Sequence, residues 1–376
     1  MAEALETPTL IIGGSAAGMG VARSLQERGL RATIIESEPE VGIRWRTAYD
    51  RLHLHTPRST SGLPYEPMPA GYPRYPSRQQ VADYLSHYAA KLTQPILFNR
   101  RAVSVRRDDD RWITETAEGA IVSANVVIAT GNARVPSIPS FSGIERFAGP
   151  VLHTSLYRNG EPYRGQRVLV VGFGNSAAEI AIDLYEHGAQ PTLSVRGPVN
   201  VLPRDLFGIP IVSFGLIQKL FGPRVADRVT APIIRLALGD IRRLGFVRPA
   251  YGPNTEIRQH HQIPVLDVGT IGLIRAGRIG LRPGIRQFTQ AGAIFSDGRQ
   301  EPFGAVILGT GYRASLGKLL ANVPGVLDGD GTPLLSGRPT AAPGLYFCGF
   351  EVAAGGQFRQ IGWRISAALS ISARLA

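Results

Sequence analysis

Short apolar runs alternate with glycine-rich turns and amphipathic stretches along most of this chain. Residues 9–12 are an apolar run that leads into a glycine-rich turn, a helix that ends near Gly29, and a second apolar run that ends at Ile35. The same order recurs from residue 167, with a helix and a strand that ends at Arg196. This periodicity predicts two βαβ units, and hence an α/β fold with two Rossmann-like domains.

The turn of each unit carries the glycine spacing of a dinucleotide-binding loop. In that motif the first glycine makes the tight turn, the second admits a pyrophosphate, and the third lets helix and strand pack closely. The predicted contact positions are Gly13, Gly14, Ser15 and Gly18 in the first loop and Gly172, Gly174, Asn175 and Ser176 in the second. Ser15 stands where the second glycine is expected. One copy is weak evidence, but two copies in the same context, 159 positions apart (172 minus 13), are specific.

The residue that follows each second strand indicates which nucleotide each unit binds. Glu36 comes 23 positions after Gly13 (36 minus 13). A carboxylate at this position accepts hydrogen bonds from ribose hydroxyls, which suits FAD or NAD. Arg196 comes 24 positions after Gly172 (196 minus 172), where a guanidinium matches the 2′-phosphate of NADPH. The alternatives are that Glu36 is one solvated acid among neighbours and Arg196 one arginine among many. The offsets favour nucleotide binding for both residues.

Two apolar strands that each stop at a Thr-Gly pair indicate the domain organisation. Residues 97–128 are predicted to form three short strands that finish in 126–131, and a similar ending recurs at 306–311. Both endings suit chain crossings between two nucleotide domains, and segment 135–139 is predicted to be the first linker. The predicted domains are a discontinuous one, residues 1–140 plus 305–376, and a second one, residues 141–304, with a helical insertion at about 205–250.

The insertion is basic and apolar at once. Residues 201–250 hold eight basic and three acidic residues among large apolar side chains. A straight helix would bring Arg224, Arg228, Arg235 and Arg242 to one side, although Pro232 is expected to kink it. One interpretation is a lid or substrate channel with a cationic rim that touches a membrane or admits a lipophilic carboxylate. The favoured interpretation is an amphipathic helical insertion.

Composition excludes several classes of protein. Of 41 lysines and arginines only three are lysines, so 38 are arginines, and the net charge of +12 comes without a like-charge block or a nucleic-acid-binding motif. The single cysteine, Cys348, excludes a disulfide framework, a Cys-x-x-Cys pair and a four-cysteine zinc site. His260 and His261 adjoin, so they do not share one face, and no metal site is predicted. Membrane spans and secretory signals are not expected, which favours a cytoplasmic protein.

One segment between the two units matches a known fingerprint. Residues 147–157 fit Phe-x-Gly-x-x-x-His-x-x-x-Tyr at every fixed position. With it, the chain resembles the flavin-dependent monooxygenases that include the flavin-containing monooxygenases, and it is most similar to their YUCCA branch. Further matches lie at 49–55, 75–80, 171–176, 201–204, 264–267 and 309–312. Two residues depart from the family pattern. Ser15 replaces a glycine of the first motif, and Gly309 stands where the family more often has alanine. Tyr157 stands where related Baeyer–Villiger enzymes have tryptophan, which disfavours ketone oxygenation.

The resemblance implies a reaction. NADPH would reduce FAD, the reduced flavin would form a C4a-(hydro)peroxide with oxygen, and bound NADP⁺ would shield it from water. The implied activity is oxygenation of a small organic substrate, with YUCCA-like oxidative decarboxylation of an aromatic 2-oxo acid such as indole-3-pyruvate as the leading case. The alternatives are oxygenation of a soft nitrogen or sulfur, an NADPH oxidase or flavin reductase that makes hydrogen peroxide, and a non-catalytic NADP(H) sensor. Peripheral membrane contact and oligomeric state are left open.

The resemblance also implies roles for individual residues. The first loop with Glu36 would hold FAD and the second loop with Arg196 would hold NADPH. It also implies that Trp45, Gly131 and Gln357 contact FAD. His55 aligns with a polar residue that relatives place against the flavin, and His153 with a fingerprint histidine that couples domain movement to NADPH binding. Because His53 and His55 alternate along a strand-like run, the alternative is that one of them faces the core.

Overall fold

A computed structural model describes residues 4–214, 222–260 and 262–351. The helices of these ranges are α1 Ala16–Gln26, α2 Ile43–Arg46, α3 Arg78–Ala90, α4 Asn175–Glu186, α5 Pro223–Leu238, α6 Pro253–Gln259 and α7 Thr270–Arg275. Their strands are β1 Leu5–Ile12, β2 Thr33–Ile35, β3 Ile96–Leu97, β4 Ala102–Asp108, β5 Arg111–Thr116, β6 Gly119–Ile128, β7 Val135–Pro136, β8 Val151–His153, β9 Arg167–Val171, β10 Gln190–Ser194, β11 Val201–Pro203, β12 Asp205–Leu206, β13 Ile209–Pro210, β14 Val265–Asp267, β15 Gly280–Arg282, β16 Ile285–Thr289, β17 Gly292–Phe295, β18 Gln300–Pro302, β19 Ala305–Leu308, β20 Tyr312–Arg313 and β21 Leu345–Phe347.

The larger sheet has seven strands and is built around β1. Its order is β3-β2-β1-β6-β5-β4 with β21 paired to β6, and β1 runs parallel to β2 and β6. Ile11 and Val127 pack with residues of α1 and α3 on one face. Leu10 and Val126 belong to a second apolar cluster on the other face. Both faces are buried, which is why these strands are continuous apolar runs in the sequence.

The smaller sheet is parallel throughout and has the order β15-β10-β9-β19-β8. Its strand β19 lies beside β9, with Ile307 opposite Val170. The predicted boundary assigned residues 305–376 to the first domain, and it falls one strand too early. β19 is an apolar strand buried on both faces, and it lies between β9 and β8 of the smaller sheet. The chain therefore leaves the smaller sheet only after Leu308.

The two crossings between the sheets run side by side. β7 pairs antiparallel with β20, with Val135 opposite Arg313. The backbone N–H of Ser137 donates to the carbonyl of Gly311 at 2.8 Å, which joins the segment predicted as a linker to the second Thr-Gly ending. Beyond the crossing, β21 returns to the larger sheet beside β6.

The start of α3 fixes the segment that carries His53 and His55. Ser77 and Gln80 form a capping box: the Ser77 hydroxyl accepts from the Gln80 backbone N–H at 3.3 Å, and the Ser77 N–H donates to the Gln80 side chain at 2.9 Å. The backbone N–H of Arg78 donates to the carbonyl of Leu52 at 2.9 Å. Residues 52–55 therefore run next to a well-anchored helix end.

The insertion is less purely helical than predicted. It begins with the antiparallel pair β12–β13 before α5, and α5 continues through Pro232. Arg242 falls in a 3₁₀ turn, Ile241–Leu244, after the helix, so it does not share the face that carries Arg224 and Arg228. No helix of the described ranges is both long enough and apolar enough to cross a membrane.

Candidate active site

The first glycine loop closes the carboxyl ends of β1 and β6. Gly13 has φ +112°, and a Cβ there would lie 2.7 Å from the carbonyl oxygen of Ala129. A Cβ on Gly18 would overlap the carbonyl oxygen of Gly13, so α1 can approach β1 only without a side chain there. Ser15 is the N-cap of α1, and its side chain makes no capping hydrogen bond. The amides at this helix end are therefore open to an anion.

Glu36 lies at the tip of β2, against this loop. One carboxylate oxygen accepts from the Gly14 backbone N–H at 2.7 Å, and the other accepts from the Glu38 N–H at 3.0 Å. A Cβ on Gly14 would lie 3.1 Å from the Cβ of Glu36. This contact explains a glycine at position 14, directly before the serine that departs from the motif.

Arginines surround the mouth of the first loop. A cavity of about 220 Å³ is lined by Gly13, Ser15 and Glu36 and by Arg44, Arg100, Arg101 and Arg134. Burial, together with the nearby charges of Arg101 and Arg44, lowers the pKa of Arg134. The hydroxyl of Thr130, which also lines the cavity, is buried without a hydrogen-bond partner in the described structure. Crowded guanidinium groups, open amides and an orphaned hydroxyl fit the phosphates of a dinucleotide such as FAD.

The other residues predicted around the flavin lie in different surroundings. Trp45 is in α2 and packs, partly buried, against the apolar cluster that contains Ile11. Gly131 follows β6 with φ +70°, a conformation that favours glycine. Gln357 lies outside the described residues. Whether these three contact FAD stays a prediction.

The second glycine loop repeats the first at the carboxyl ends of β9 and β19. Gly172 has φ +105°, and a Cβ there would lie 2.5 Å from the carbonyl oxygen of Gly309. Gly174 caps α4, and an added Cβ would meet nothing within 4 Å, so the cradle at this helix end is open. A Cβ on Gly309 would lie 2.7 Å from that of Ala177. Glycine at 309 thus leaves room for the alanine at the third motif position.

Asn175 and Arg196 differ in how the protein engages their side chains. The Asn175 side-chain oxygen accepts from the Leu266 backbone N–H at 2.7 Å, so this side chain ties α4 to β14. Its contribution to a phosphate would come from its backbone N–H. Arg196 is exposed after β10, and within the described ranges its guanidinium forms no hydrogen bond or ion pair. Its guanidinium is available for a phosphate.

A buried carboxylate of α4 joins the two halves of the molecule. Glu179 is 2% exposed; it accepts from the Tyr49 hydroxyl at 2.7 Å and lies 2.8 Å from Nε2 of His55. Burial and the adjacent carboxylate raise the pKa of Tyr49 far above its ordinary value, so Tyr49 stays a hydroxyl donor. The second carboxylate oxygen of Glu179 faces Nε2 of His55, and the contact is a hydrogen bond from Nε2 when that nitrogen carries the proton. Nδ1 of His55 has no partner among the described residues.

His53 and His55, which alternate in the sequence, have different partners. Nδ1 of His53 lies 2.6 Å from the backbone carbonyl of Arg51. Arg51 in turn makes a paired contact with Glu186 of α4, at 2.9 and 3.1 Å. Segment 49–55 therefore runs along α4, and of its two histidines His55 is the one bound to a buried acid.

The fingerprint residue Tyr157 also anchors α4. Its hydroxyl donates to Asp183 at 2.5 Å, and its ring stacks on that of Tyr163. Burial raises the pKa of Asp183 and, together with this carboxylate, the pKa of Tyr157. This part of the fingerprint holds the helix that carries Glu179.

His153 is buried with both ring nitrogens engaged. Nδ1 accepts from the Ser155 backbone N–H at 3.1 Å, so Nε2 carries the proton and donates to the Gly311 carbonyl at 3.0 Å. The ring also meets Tyr312 edge-on. Burial lowers the pKa of His153 despite the bond to Gly311. This geometry favours a residue that connects β8 to the second crossing.

A pH dependence follows from the lowered pKa of His153. Below its ordinary value of 6.5 the unfolded chain takes up a proton at this residue while the folded chain does not, so stability is lost as pH falls. We expect chemical denaturation of wild type and His153→Gln to show a free-energy difference that shrinks below pH 6.5, by up to about 1.4 kcal/mol per pH unit. The exposed His87→Gln is the control. Parallel curves for wild type and His153→Gln would contradict the assignment.

Sequence reasoning missed the two buried acids of α4. A signal was present, because Glu179 and Asp183 interrupt a run whose neighbours from Ala177 to Leu184 are otherwise apolar and buried. A helix that is apolar on every side is buried, and acids within it need partners. The partners come from segments 49–55 and 153–157, which no local pattern connects to α4.

Comparisons with known proteins agree with this geometry. The model of the pyridine nucleotide-disulphide oxidoreductase family matches residues 10–203. A probable indole-3-pyruvate monooxygenase of Arabidopsis thaliana, YUCCA4, is 36% identical over 311 residues, which are 82% of this chain and 76% of that protein. Indole-3-pyruvate monooxygenase YUCCA8 of Oryza sativa subsp. indica is 38% identical over 337 residues, 86% of this chain and 78% of that protein.

Solved structures show the same architecture. A flavin-containing monooxygenase from Stenotrophomonas maltophilia is 25% identical with a TM-score of 0.74, over 99% of this chain and 100% of that chain. Cyclohexanone monooxygenase from Rhodococcus sp. Phi1 bound to NADP⁺ shares the fold at 16% identity, with a TM-score of 0.74 over 99% and 85% of the two chains. The predicted α/β fold with two Rossmann-like domains is confirmed.

Proposed function

This chain belongs to the flavin-dependent monooxygenases of the YUCCA group, and we propose that it catalyses NADPH-dependent oxidative decarboxylation of a small aromatic 2-oxo acid. It is an FAD-containing enzyme that uses NADPH. The names of the two plant relatives, both indole-3-pyruvate monooxygenases, support this substrate class. The single buried Cys348 provides no dithiol for the disulphide chemistry in the name of the wider family.

The proposed reaction balances without a further reactant. The 2-oxo acid, dioxygen, NADPH and a proton give the carboxylic acid shortened by one carbon, carbon dioxide, water and NADP⁺. The bond between the keto carbon and the carboxylate breaks, one oxygen atom enters the product acid, and the other leaves as water. When bound, FAD accepts the hydride of NADPH and activates dioxygen.

The residues of the chain bind and orient the two cofactors. The backbone N–H groups at the N-terminus of α1 and the arginines around the first loop would hold the phosphates of FAD. The carboxylate of Glu36 would contact its ribose. The open end of α4 at Gly174 would hold the pyrophosphate of NADPH, with Arg196 at its 2′-phosphate. His153, with no free ring nitrogen in the described structure, would position the crossing at Gly311.

The hydrogen bond between His55 and Glu179 is the observation that supports a reaction between the two loops. His55 comes from the part of the chain that follows the first loop, whereas Glu179 lies on the helix that the second loop opens. Glu179 and Tyr49 fix the ring of His55 and leave its Nδ1 for a ligand. We assign to Nδ1 a hydrogen bond at the reacting oxygen, held in a site from which water is excluded.

We expect His55→Ala to uncouple NADPH use from product formation. Removal of a preorganised hydrogen-bonding group at a reacting oxygen lowers product formation roughly 10²-fold, and hydrogen peroxide should replace the product. Glu179→Gln keeps the size of the side chain but weakens the orientation of His55, so its effect should be smaller and in the same direction. Product and peroxide are measured per NADPH consumed. The control is His53→Ala, and unchanged coupling in His55→Ala would remove His55 from the site.

We expect Arg196→Ala to lose its preference for NADPH over NADH. Loss of a charge-assisted contact with the 2′-phosphate costs about 1.5–3 kcal/mol, which corresponds to roughly a 10- to 100-fold rise in KM for NADPH. NADH has no 2′-phosphate, so its KM should stay within about twofold. Flavin reduction by each nucleotide is followed under anaerobic conditions. An equal loss for both nucleotides would show that Arg196 does not contact the 2′-phosphate.

The proposed function is tested by the stoichiometry of turnover. Purified holoenzyme is incubated with NADPH and phenylpyruvate or indole-3-pyruvate, and oxygen uptake, carbon dioxide, arylacetate and peroxide are measured together. We expect one carbon dioxide and one arylacetate for each NADPH. Peroxide equal to the NADPH consumed, with every 2-oxo acid tried, would indicate an oxidase and overturn the proposal.

A further inference from the structure

A cavity of about 580 Å³ lies in the insertion and shares no lining residue with either glycine loop. It opens between α5, α6 and the segment 248–252. The α5 residues that line it follow the spacing i, i+3, i+4, i+7 and i+10, and they are Arg224, Asp227, Arg228, Ala231 and Ile234. This spacing places them on one face of the helix. The volume is within the range of small-molecule sites.

The cavity has a surplus of positive charge. Arg224, Arg228 and Arg248 line it, and none of their guanidinium groups forms a hydrogen bond or ion pair within the described ranges. The lining carboxylate of Asp227 is committed elsewhere: it accepts from the Asn254 backbone N–H at 2.8 Å and from the Thr255 hydroxyl at 2.6 Å. Outside the described ranges, the only acidic residue of the sequence is Glu3. The three guanidinium groups therefore favour an anion in the cavity.

Beside the polar side chains of Asn200, Thr255 and Gln259, the cavity has an apolar and aromatic wall. The ring of Tyr251 stacks on that of His260, with centroids 4.0 Å apart and an angle of 18° between the planes. Val201, Ile234 and Pro253 add aliphatic surface. A bare inorganic anion would leave this surface in contact with water, whereas an organic anion with a flat apolar body would cover it.

We propose that this cavity binds a small aromatic carboxylate. Planar guanidinium groups of Arg228 and Arg248 match a carboxylate with paired donors, while the Tyr251–His260 stack and the aliphatic wall accept the ring. The choice of ligand rests on the proposed function, because its substrate, an aromatic 2-oxo acid, and its product, an arylacetate, are both aromatic carboxylates. The cavity is a second place where such molecules meet the protein.

Binding can be measured without turnover, on oxidised holoenzyme in the absence of NADPH. Phenylacetate is titrated by calorimetry into wild type, Arg228→Gln and Arg248→Gln. We expect each substitution to weaken binding at least about tenfold, since a guanidinium–carboxylate contact is lost. Arg235→Gln is the matched control on the same helix, because Arg235 pairs with Asp240 and does not line the cavity. It should bind within about twofold of wild type.

Several outcomes would overturn the proposal. Unchanged affinity in Arg228→Gln and Arg248→Gln would do so, as would acetate or inorganic phosphate binding as tightly as phenylacetate. A raised KM for NADPH with intact phenylacetate binding would instead assign these arginines to the dinucleotide.

Kinetics of the same variants separate the two sources of the ligand. A higher KM for phenylpyruvate at unchanged kcat identifies the substrate as the ligand, and loss of inhibition by phenylacetate at unchanged KM identifies the product. If no 2-oxo acid is oxygenated but phenylacetate still binds through Arg228 and Arg248, the proposed reaction is wrong, whereas the proposed carboxylate site in the cavity is supported.

Discussion

Gly174→Val is expected to abolish flavin reduction by NADPH while the protein keeps its fold and its FAD. Gly174 has φ −97° and ψ 179°, an extended conformation that valine adopts readily, and an added Cβ meets nothing within 4 Å. The side chain would therefore occupy the open end of α4, where the NADPH pyrophosphate is proposed to bind. Loss of one or two charge-assisted hydrogen bonds costs about 3 kcal/mol or more, which is roughly a 100-fold loss in affinity.

The measurement separates the two nucleotide sites within one protein. Absorbance of bound flavin and thermal unfolding should match wild type, whereas the rate of anaerobic reduction at a fixed NADPH concentration should collapse. Dithionite should still reduce the flavin fully. Gly329→Val is the control, because Gly329 is also exposed and open to a Cβ. Normal reduction of Gly174→Val by NADPH would mean that the pyrophosphate lies elsewhere.

The two-unit architecture was predictable because its signals are local. A turn that needs φ above zero at Gly13 and Gly172, and a strand buried on both faces, each produce a pattern within a few residues. The strand β19 was assigned to the wrong unit because its own pattern does not say which sheet it completes. That choice depends on pairing with β9, about 137 positions earlier (308 minus 171).

The site was only partly predictable because its polar contacts join distant segments. His55 was singled out through the family resemblance, but its partner Glu179 was not, since an acid within a helix reads as solvated unless tertiary burial is known. For the same reason, the sequence supported a substrate channel with a cationic rim in the insertion only as the less favoured interpretation. The basic residues of 201–250 were apparent in the sequence. The sequence did not show that Asp227 forms its hydrogen bonds with Asn254 and Thr255 of α6 instead of pairing with Arg224 or Arg228.

Gly18→Ala is expected to remove FAD and to destabilise the protein, although alanine is the better helix former. Its Cβ would overlap the Gly13 carbonyl oxygen, so α1 would have to move away from β1 and carry its N-terminal amides out of position. Overpacking of this kind costs about 3 kcal/mol where the obstacle is backbone that cannot rotate away. The purified variant should be colourless or lose its flavin on gel filtration, and its unfolding midpoint should fall.

Gly272→Ala isolates the close approach as the cause. Gly272 lies within α7, and an added Cβ meets nothing within 4 Å, so the same substitution should stabilise the protein by about 0.5–1 kcal/mol through helix propensity. Opposite signs for one chemical change in two helices would identify contact with the glycine loop, and not helix propensity, as the source of the loss. A yellow Gly18→Ala protein as stable as wild type would mean that α1 does not approach the first loop this closely, and the FAD site built on it would have to be reassigned.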